Sequence, residues 1–342
     1  MRFTFALGAL FGLAACAEDS PPSGKWHELA DIADSPRGEH TTVALSPSTL
    51  AIVGGVLPQG DPLETTDRVQ LYDIPSDSWS AAPRIPVPLN HLNLAMVDGK
   101  VYLLGGLAVL DNGTWSATAD CWVLDPRDGG GGDWTPLEPM PNGTARGSAA
   151  VGVHGKSIYL AGGETINVPG AYQDSVTDVS AFDTEAGTWR VLPGRLPEGR
   201  NHAGGAVVDS TLYVVGGRVA GRDSIRDTLF ALDLERPDGE WEELPRMPTG
   251  RGGLSVAVVG KTIYAAGGEG NPAPGTDGVF NETEGFDTGR REWSRFAPMR
   301  IPRHGTSVVA VDGCIYFPGG SVVQGGPPVN ATDKFCPEED GA

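Results

Sequence analysis

The sequence predicts an all-β chain: a closed ring of six four-stranded sheets, a six-bladed β-propeller, whose last blade is completed by the amino-terminal strand. Three observations carry this. Gly-Gly doublets recur at 54–55, 105–106, 162–163, 216–217, 267–268 and 319–320, spaced by 51, 57, 54, 51 and 52 residues. An apolar run precedes each doublet, with a tyrosine three places ahead of the first glycine in five copies (Tyr102, Tyr159, Tyr213, Tyr264, Tyr316). A tryptophan follows 25 to 29 residues after the first glycine in five copies: Trp79, Trp134, Trp189, Trp241 and Trp293. One such unit cannot bury its apolar face alone, so a period of about 50 residues implies units stacked around a common axis.

Within each unit the elements follow in order. The residues at 42–45, 93–96, 150–153, 204–207, 255–258 and 307–310 are rich in Ala, Gly, Ser and Val. Small residues fit where innermost strands crowd one axis. Turn pairs such as Asp98-Gly99, His154-Gly155 and Asp312-Gly313 suit the two-residue hairpins that follow. The second strand ends at the doublet, where a side chain would obstruct the packing of adjacent blades. Third strands are expected at 69–73, 121–125, 179–183, 229–233 and 284–287, and the tryptophans mark the fourth. The sixth unit has no tryptophan of its own at the expected place, 344–348. Trp26 supplies it: it lies 28 residues ahead of Gly54, and the other Trp-to-next-Gly intervals are 26 to 28. Residues 25–32 are therefore the expected outer strand of the last blade, a closure that leaves no open edge.

Gly-Gly, Tyr and Trp recurring in step resemble the kelch repeat, over residues 25–336. In a blade of this kind the entry to the first strand and the loop after the doublet share one end of the meander. The post-doublet loops (56–67, 107–119, 164–177, 218–227, 269–282 and 321–331) are long and variable, and long loops on a rigid scaffold are where function concentrates. Fourteen places before the doublet, at the mouth of the channel, stand His40, His91, Ser148, His202, Gly253 and Gly305. One place earlier stand Glu39, Asn90, Gly147, Asn201, Gly252 and His304, so four of the six histidines fall on one small ring. The resemblance implies ligand contact from Glu39, His40, Asn90, His91, Ser148, Asn201, His202 and His304. Hydrogen bonding between blades and metal binding stay open as other roles. Histidines separated by whole blades are expected to lie too far apart for bonds of ~2.0–2.1 Å to one ion, so neither a metal nor a cofactor is assigned. Arg146, Arg200, Arg251 and Arg303, sixteen places before the doublet, belong to the kelch pattern and are expected to be structural; Gly38 and Leu89 hold that place in the first two units.

Met1-Arg2, an apolar run over 3–13 and Leu13-Ala14-Ala15-Cys16 resemble a bacterial lipoprotein signal. The run is shorter than the ~20 residues a membrane-spanning helix needs and has the length of an export signal. The resemblance implies a signal peptide over 1–15, lipid on Cys16 and an extracytoplasmic place in a Gram-negative envelope, with Ala17 favouring the outer membrane. Residues 16–24 read as a polar tether, 25–336 as the propeller and 337–342 as a tail. Net charge is −19 and charged residues make up only 20%. With no basic cluster, nucleic acid is not an expected partner.

Beyond Cys16 three cysteines remain: Cys121, Cys314 and Cys336. An export signal would place them in an oxidising compartment. If Gly320 stands opposite Asn330, facing residue numbers sum to 650. Positions 314 and 336 also sum to 650, so an unbulged hairpin sets the two cysteines within disulfide range. Cys121 is then a buried free thiol.

No nucleophile motif, phosphate loop or paired-cysteine metal motif is present. Copper oxidases built on the kelch propeller need a tyrosine ligand and a Tyr–Cys crosslink; here Tyr172 alone is left for a loop. The reading is a monomeric, lipid-anchored envelope protein that binds a protein or glycan through its long-loop face. Two rivals stand beside it: a purely structural envelope protein, and a sugar isomerase resembling the periplasmic sialic-acid epimerases. The isomerase would use Glu39 or Glu164 as base and Arg218 or Arg222 as cation. Acids and bases converging within ~3–5 Å in a closed pocket favour an enzyme, and a spread over an open rim favours a binder.

Overall fold

The computed structural model describes residues 23–126 and 132–337. Cys16, the expected signal, the tether up to residue 22 and the tail from 338 lie outside the described residues. Six antiparallel sheets form the blades of a propeller. Each inner strand touches the inner strands of the two adjacent blades, and the sixth touches the first, so the ring closes. Blade 4 is representative: Gly204–Val208, Thr211–Val215, Leu229–Asp233 and Glu242–Leu244 pair in chain order. Its first hairpin turns on two residues, with Val208 facing Thr211. Gly205 shows why the inner strands are small: a Cβ there would strike the backbone of Val151 in blade 3.

The apolar cores lie between blades. Val215, Leu229, Leu244 and Met247 of blade 4 meet Ile263, Ala265 and Phe286 of blade 5. Burying each large side chain of this kind is worth about 1.5–3 kcal/mol. Blade 6 contains Val309–Val311, Cys314–Pro318 and Thr332–Cys336, and its outer strand is Lys25–Leu29. Trp26 faces Phe335 in that ladder, its ring packs tilted against Phe317 with centroids 4.7 Å apart, and its Nε1 donates to Ala297 O of blade 5 at 2.8 Å. Ile315 faces Phe335 and Pro318 faces Thr332, a register that sums to 650. Cys314 and Cys336 are disulfide-bonded, with Cα atoms 4.3 Å apart, and Cys121 is a buried free thiol.

Two departures from the expected layout bear on the site. Blade 1 carries one extra residue in its first hairpin: the register shifts between Ala44 and Ser46. Counting back from Gly54 without a gap is therefore one residue out of phase above that bulge. Arg37, not Gly38, occupies the arginine position of blade 1; its carbonyl accepts from Gly320 N, as that of Arg303 accepts from Gly268 N. The arginine girdle is broken only at Leu89. Second, the segment 107–119 is not a loop. Lys100–Val109 and Trp115–Leu124 continue as one long hairpin, and Ile166–Val168 and Tyr172–Gln173 from the next blade's loop add to its edge.

The girdle is structural. Arg37, Arg146, Arg200, Arg251 and Arg303 are all buried. Each guanidinium reaches into its own blade, and three also meet the loop just ahead of it: Arg146 donates to Thr144 O, Arg251 to Thr249 O, and Arg200 pairs with Glu198 at 3.1 Å. Arg251 donates to Ala265 O at 2.9 Å and pairs with Glu284 at 2.6 Å. Arg303 donates to Phe317 O and pairs with Asp333 at 2.9 Å. Arg146 bonds Ser180, Arg37 bonds Gln70, and Arg200 lies over the Phe230 ring. Each arginine thus ties the previous blade through its carbonyl and its own blade through its side chain.

Candidate functional site

Six residues form a closed belt at the long-loop mouth of the channel. They are Glu39, His91, Ser148, His202, Gly253 and Gly305, and all six have positive φ, between 48° and 60°. Each backbone N–H donates to the preceding blade. Glu39 N donates to Gly305 O, Gly305 N to Gly253 O, and Gly253 N to His202 O. Ser148 N donates to His91 O and His91 N to Glu39 O. The sixth link is made by a side chain, from His202 N to Ser148 Oγ at 3.0 Å. A left-handed conformation costs a residue with a Cβ roughly 1–3 kcal/mol, and four blades bear that cost here while two use glycine. The phase shift places Glu39 in the belt and His40 one step behind it. His40 is buried, and burial beside Arg37 pushes its imidazole down to about 3. This is a correction to the expected ring, in which His40 stood with His91.

Three members of the belt, Glu39, His91 and His202, form the floor of a recess of about 350 Å³. On the belt's other side lies the central channel, about 250 Å³. His91 and His202 come from blades 2 and 4, yet their Nε2 atoms lie 2.9 Å apart. The expectation that whole-blade separation keeps the histidines from a common ion is therefore wrong: on the crowded axis, side chains from alternate blades meet. Glu39 Oε2 lies 3.2 Å from His91 Nε2, and Glu164 Oε1 lies 4.0 Å from it. His304 approaches from blade 6, with Nδ1 3.8 Å from Glu39 Oε1 and 3.7 Å from Glu269 Oε2.

The neighbouring positions orient these groups. Asn90 Oδ1 lies 2.6 Å from His91 Nδ1, and Asn201 Oδ1 lies 2.9 Å from His202 Nδ1. Asn201 Nδ2 donates to Asp174 O, a pure acceptor, at 2.7 Å. Its Oδ1 must therefore accept from His202 Nδ1–H, which leaves the lone pair on Nε2. Asn90 repeats the arrangement, with Nδ2 directed to Thr65 Oγ1 at 2.7 Å. Sequence reasoning placed both asparagines here; their tautomer-setting role is visible only in three dimensions.

The residue just after each doublet adds the remaining charges: Glu164, Arg218 and Glu269. All three are buried. Burial drives the Glu164 carboxyl up to about 8, a shift that Arg218 and the Asn167 amide only partly oppose. Burial would also raise Glu269, but His304, Arg218 and Arg222 hold it below the usual carboxylate range; Arg218 pairs with it at 2.7 Å. Burial lowers His91, opposed by Glu39, and lowers His202 well below the ordinary imidazole value, with Arg218 in the same direction. At neutral pH the recess is thus lined by two neutral imidazoles, with the protonated Glu164 buried behind His91.

The sequence reading missed Trp115. It caps His91, ring centroids 5.5 Å apart, and lines the recess with Asn167. A signal was available: of the eight tryptophans, six fill the repeat position and Trp122 lies on a third strand, leaving Trp115 outside the pattern.

Known proteins resemble this chain along most of its length. A profile described as the KLHDC2/KLHL20/DRC7 Kelch-repeats domain matches residues 138–320. The Kelch-like protein terF of Aspergillus terreus (strain NIH 2624 / FGSC A1156) is 35% identical over 347 residues, 98% of this chain and 74% of that protein. Kelch-like protein 41a of Danio rerio is 25% identical over 76% of this chain but only 40% of its own length. Kelch-like protein 34 of Homo sapiens is 26% identical over 75% and 38%; the chain spans well under half of these animal relatives. The solved "Structure of YjhT" aligns with a TM-score of 0.71 over 89% of this chain and 95% of that one, at 17% identity, a likeness of fold. With a relative this similar along nearly its whole length, and the repeat present in every blade, the chain belongs to the Kelch-repeat family.

Proposed function

We propose that this kelch propeller takes a small polar molecule into the recess above the belt and acts on it by proton transfer. The observation that carries this is convergence: Glu39, His91 and His202 line a half-open recess at separations of 3.2 and 2.9 Å, and the buried Glu164 lies 4.0 Å behind His91. Glu164 holds its proton up to about pH 8, so at neutral pH an acid stands behind the bases that face the recess, and its proton would reach a bound molecule by way of His91. Arg222, also lining the recess, suits a substrate with an anionic group. Ligand-observed NMR against hydroxy acids and sugar acids is the test. Expected are hits that Glu164→Gln still binds but Arg222→Ala does not, together with substrate turnover lost in Glu164→Gln. Failure of every small acid or sugar to bind at millimolar concentration would overturn the reading.

A second reading is favoured by the rim. Kelch propellers commonly serve as protein-interaction scaffolds, and Leu110, Tyr172 and Val323 stand exposed on the long-loop segments. Leu110→Ser with Tyr172→Ser should abolish capture of a protein partner while small-ligand binding persists. The lipid anchor is a further proposal, carried by Leu13-Ala14-Ala15-Cys16. A palmitate analogue should label the wild type and not Cys16→Ser; equal labelling removes the anchor and the envelope placement with it.

A further inference from the structure

We infer that Glu39, His91 and His202 form a binding site for one divalent first-row transition-metal ion. The argument begins with the lone pairs. Asp174 O fixes the orientation of Asn201, and Asn201 fixes the Nδ1–H tautomer of His202. Asn90 holds His91 in the same tautomer. Both Nε2 atoms therefore present lone pairs, and they do so 2.9 Å apart. Two lone pairs at that distance repel unless something positive lies between them.

A proton would serve only by turning one ring into an imidazolium, with Arg218 adjoining the Asn201 amide. A metal ion serves without protonating either ring. The donor set is two imidazoles and one carboxylate, all within 4.8 Å of one another. Two nitrogens 2.9 Å apart, each ~2.0–2.1 Å from a common centre, subtend roughly 90° there. The Glu39 to His91 separation of 3.2 Å gives roughly 100° by the same construction. Angles near 90° belong to an octahedron rather than a tetrahedron. The third pair, Glu39 and His202, is wider, within 4.8 Å; two histidines and one carboxylate with other positions free favour a six-coordinate divalent ion over a closed structural zinc site.

The support around the three donors has the character of a metal centre. Each imidazole donates its other N–H to a side-chain oxygen, the arrangement that fixes ring orientation at metal sites. The main chain of all three is locked at positive φ by the belt of hydrogen bonds. That conformation is costly for residues with side chains, and the equivalent places in blades 5 and 6 are Gly253 and Gly305. All three donors line the recess, so the ion would meet whatever enters it.

The inference deepens the small-molecule reading but does not depend on it for metal binding itself. The probe is cobalt(II), added to protein dialysed against a chelator. Expected are one ion per chain by elemental analysis, weak visible bands of a six-coordinate cobalt centre, and a raised melting temperature. His202→Gln and Glu39→Gln should weaken binding at least 100-fold, and Asn201→Ala 10- to 100-fold. If His202→Gln fails to fold, Asn201→Ala decides. The inference is overturned if cobalt(II), manganese(II), iron(II) and zinc(II) all fail to bind the folded wild type at millimolar concentration. It is equally overturned if His202→Gln binds as tightly as the wild type, or if nitrogen NMR finds a proton shared between the two rings. Small-ligand binding by the metal-free protein would then leave the proton-transfer reading standing alone; cobalt bound at the triad with no small ligand found would do the reverse.

Discussion

The arginine girdle and the belt at the channel mouth are both buried, both polar and both built one residue per blade, yet they obey opposite rules. In the girdle the residue repeats and its partner adapts to it. Arg251 meets Glu284, Arg303 meets Asp333, Arg37 meets Gln70 and Arg146 meets Ser180. Blade 2, which lacks the arginine, has Leu89 and Trp122 packed in one apolar cluster. Every blade balances its own account at this level. In the belt the backbone repeats and the side chains do not: glutamate, histidine, serine, histidine, glycine, glycine. Each imidazole is held at Nδ1 by the asparagine of its own blade, and its Nε2 meets another blade across the axis. A repeat protein shows its scaffold where the blades agree and its chemistry where they are forced to differ.

The comparison breaks first at the scaffold. Deleting residues 25–32 removes Trp26 and the outer strand of blade 6, and should cost the ring its cooperative unfolding and leave an aggregating edge. A truncated protein that melts like the parent would mean that closure contributes nothing. Next in size is the girdle. Arg251→Met strands Glu284, whose side chain is 0% exposed, and should cost about 3–5 kcal/mol in a urea titration. Arg251→Met with Glu284→Leu copies the apolar solution of blade 2 and should recover most of that loss. A double variant as unstable as the single one would show that the pair does more than satisfy itself.

The belt predicts smaller effects. Glu164 has its folded carboxyl raised to about 8 from an ordinary 4.5. Between those values the folded protein keeps a proton that the unfolded chain releases, so this group lowers stability progressively as pH rises from about 4.5 to about 8. Glu164→Gln should flatten the stability–pH curve in that window, by up to ~1.4 kcal/mol per pH unit, and raise stability at pH 8. An unchanged slope would place the proton elsewhere. The smallest effect is at Ser148, whose φ is 55°. Ser148→Gly relieves strain worth ~1 kcal/mol but removes the hydroxyl that accepts from His202 N. A melting temperature within about 2 °C of the parent, with weaker binding in the recess, is expected; a large fall would make the belt part of the scaffold after all.

The repeat, the closure by Trp26 and the facing cysteines were legible because they depend on spacing along the chain. Spacing failed where the backbone departs from it. One bulged residue near Leu45 displaced Arg37, Gly38, Glu39 and His40 by a place, and no composition rule marks a bulge. The long hairpin holding Trp115 was hidden because Leu107 to Val109 continue a strand past a Gly-Gly doublet that ends it in other blades. Most of the site residues were nameable from the motif. Their convergence was not, since the distance between His91 and His202 is set by how closely six inner strands approach one axis, and only the packed ring determines that.

Both ends of the propeller lie in blade 6, and this settles how it yields to force. Lys25 faces Cys336 at the end of the ladder, so a pull on the chain ahead of Lys25 loads one rung at a time, as a zipper is opened, rather than shearing all rungs together. The other half of the zipper cannot follow, because Cys336 is bonded to Cys314 of the next strand. Under tension the ring should therefore part on one side only, shedding Lys25–Leu29 and keeping its five complete blades and the remainder of the sixth. Reduction would free Cys336 as well, and the same pull could then unravel the blade.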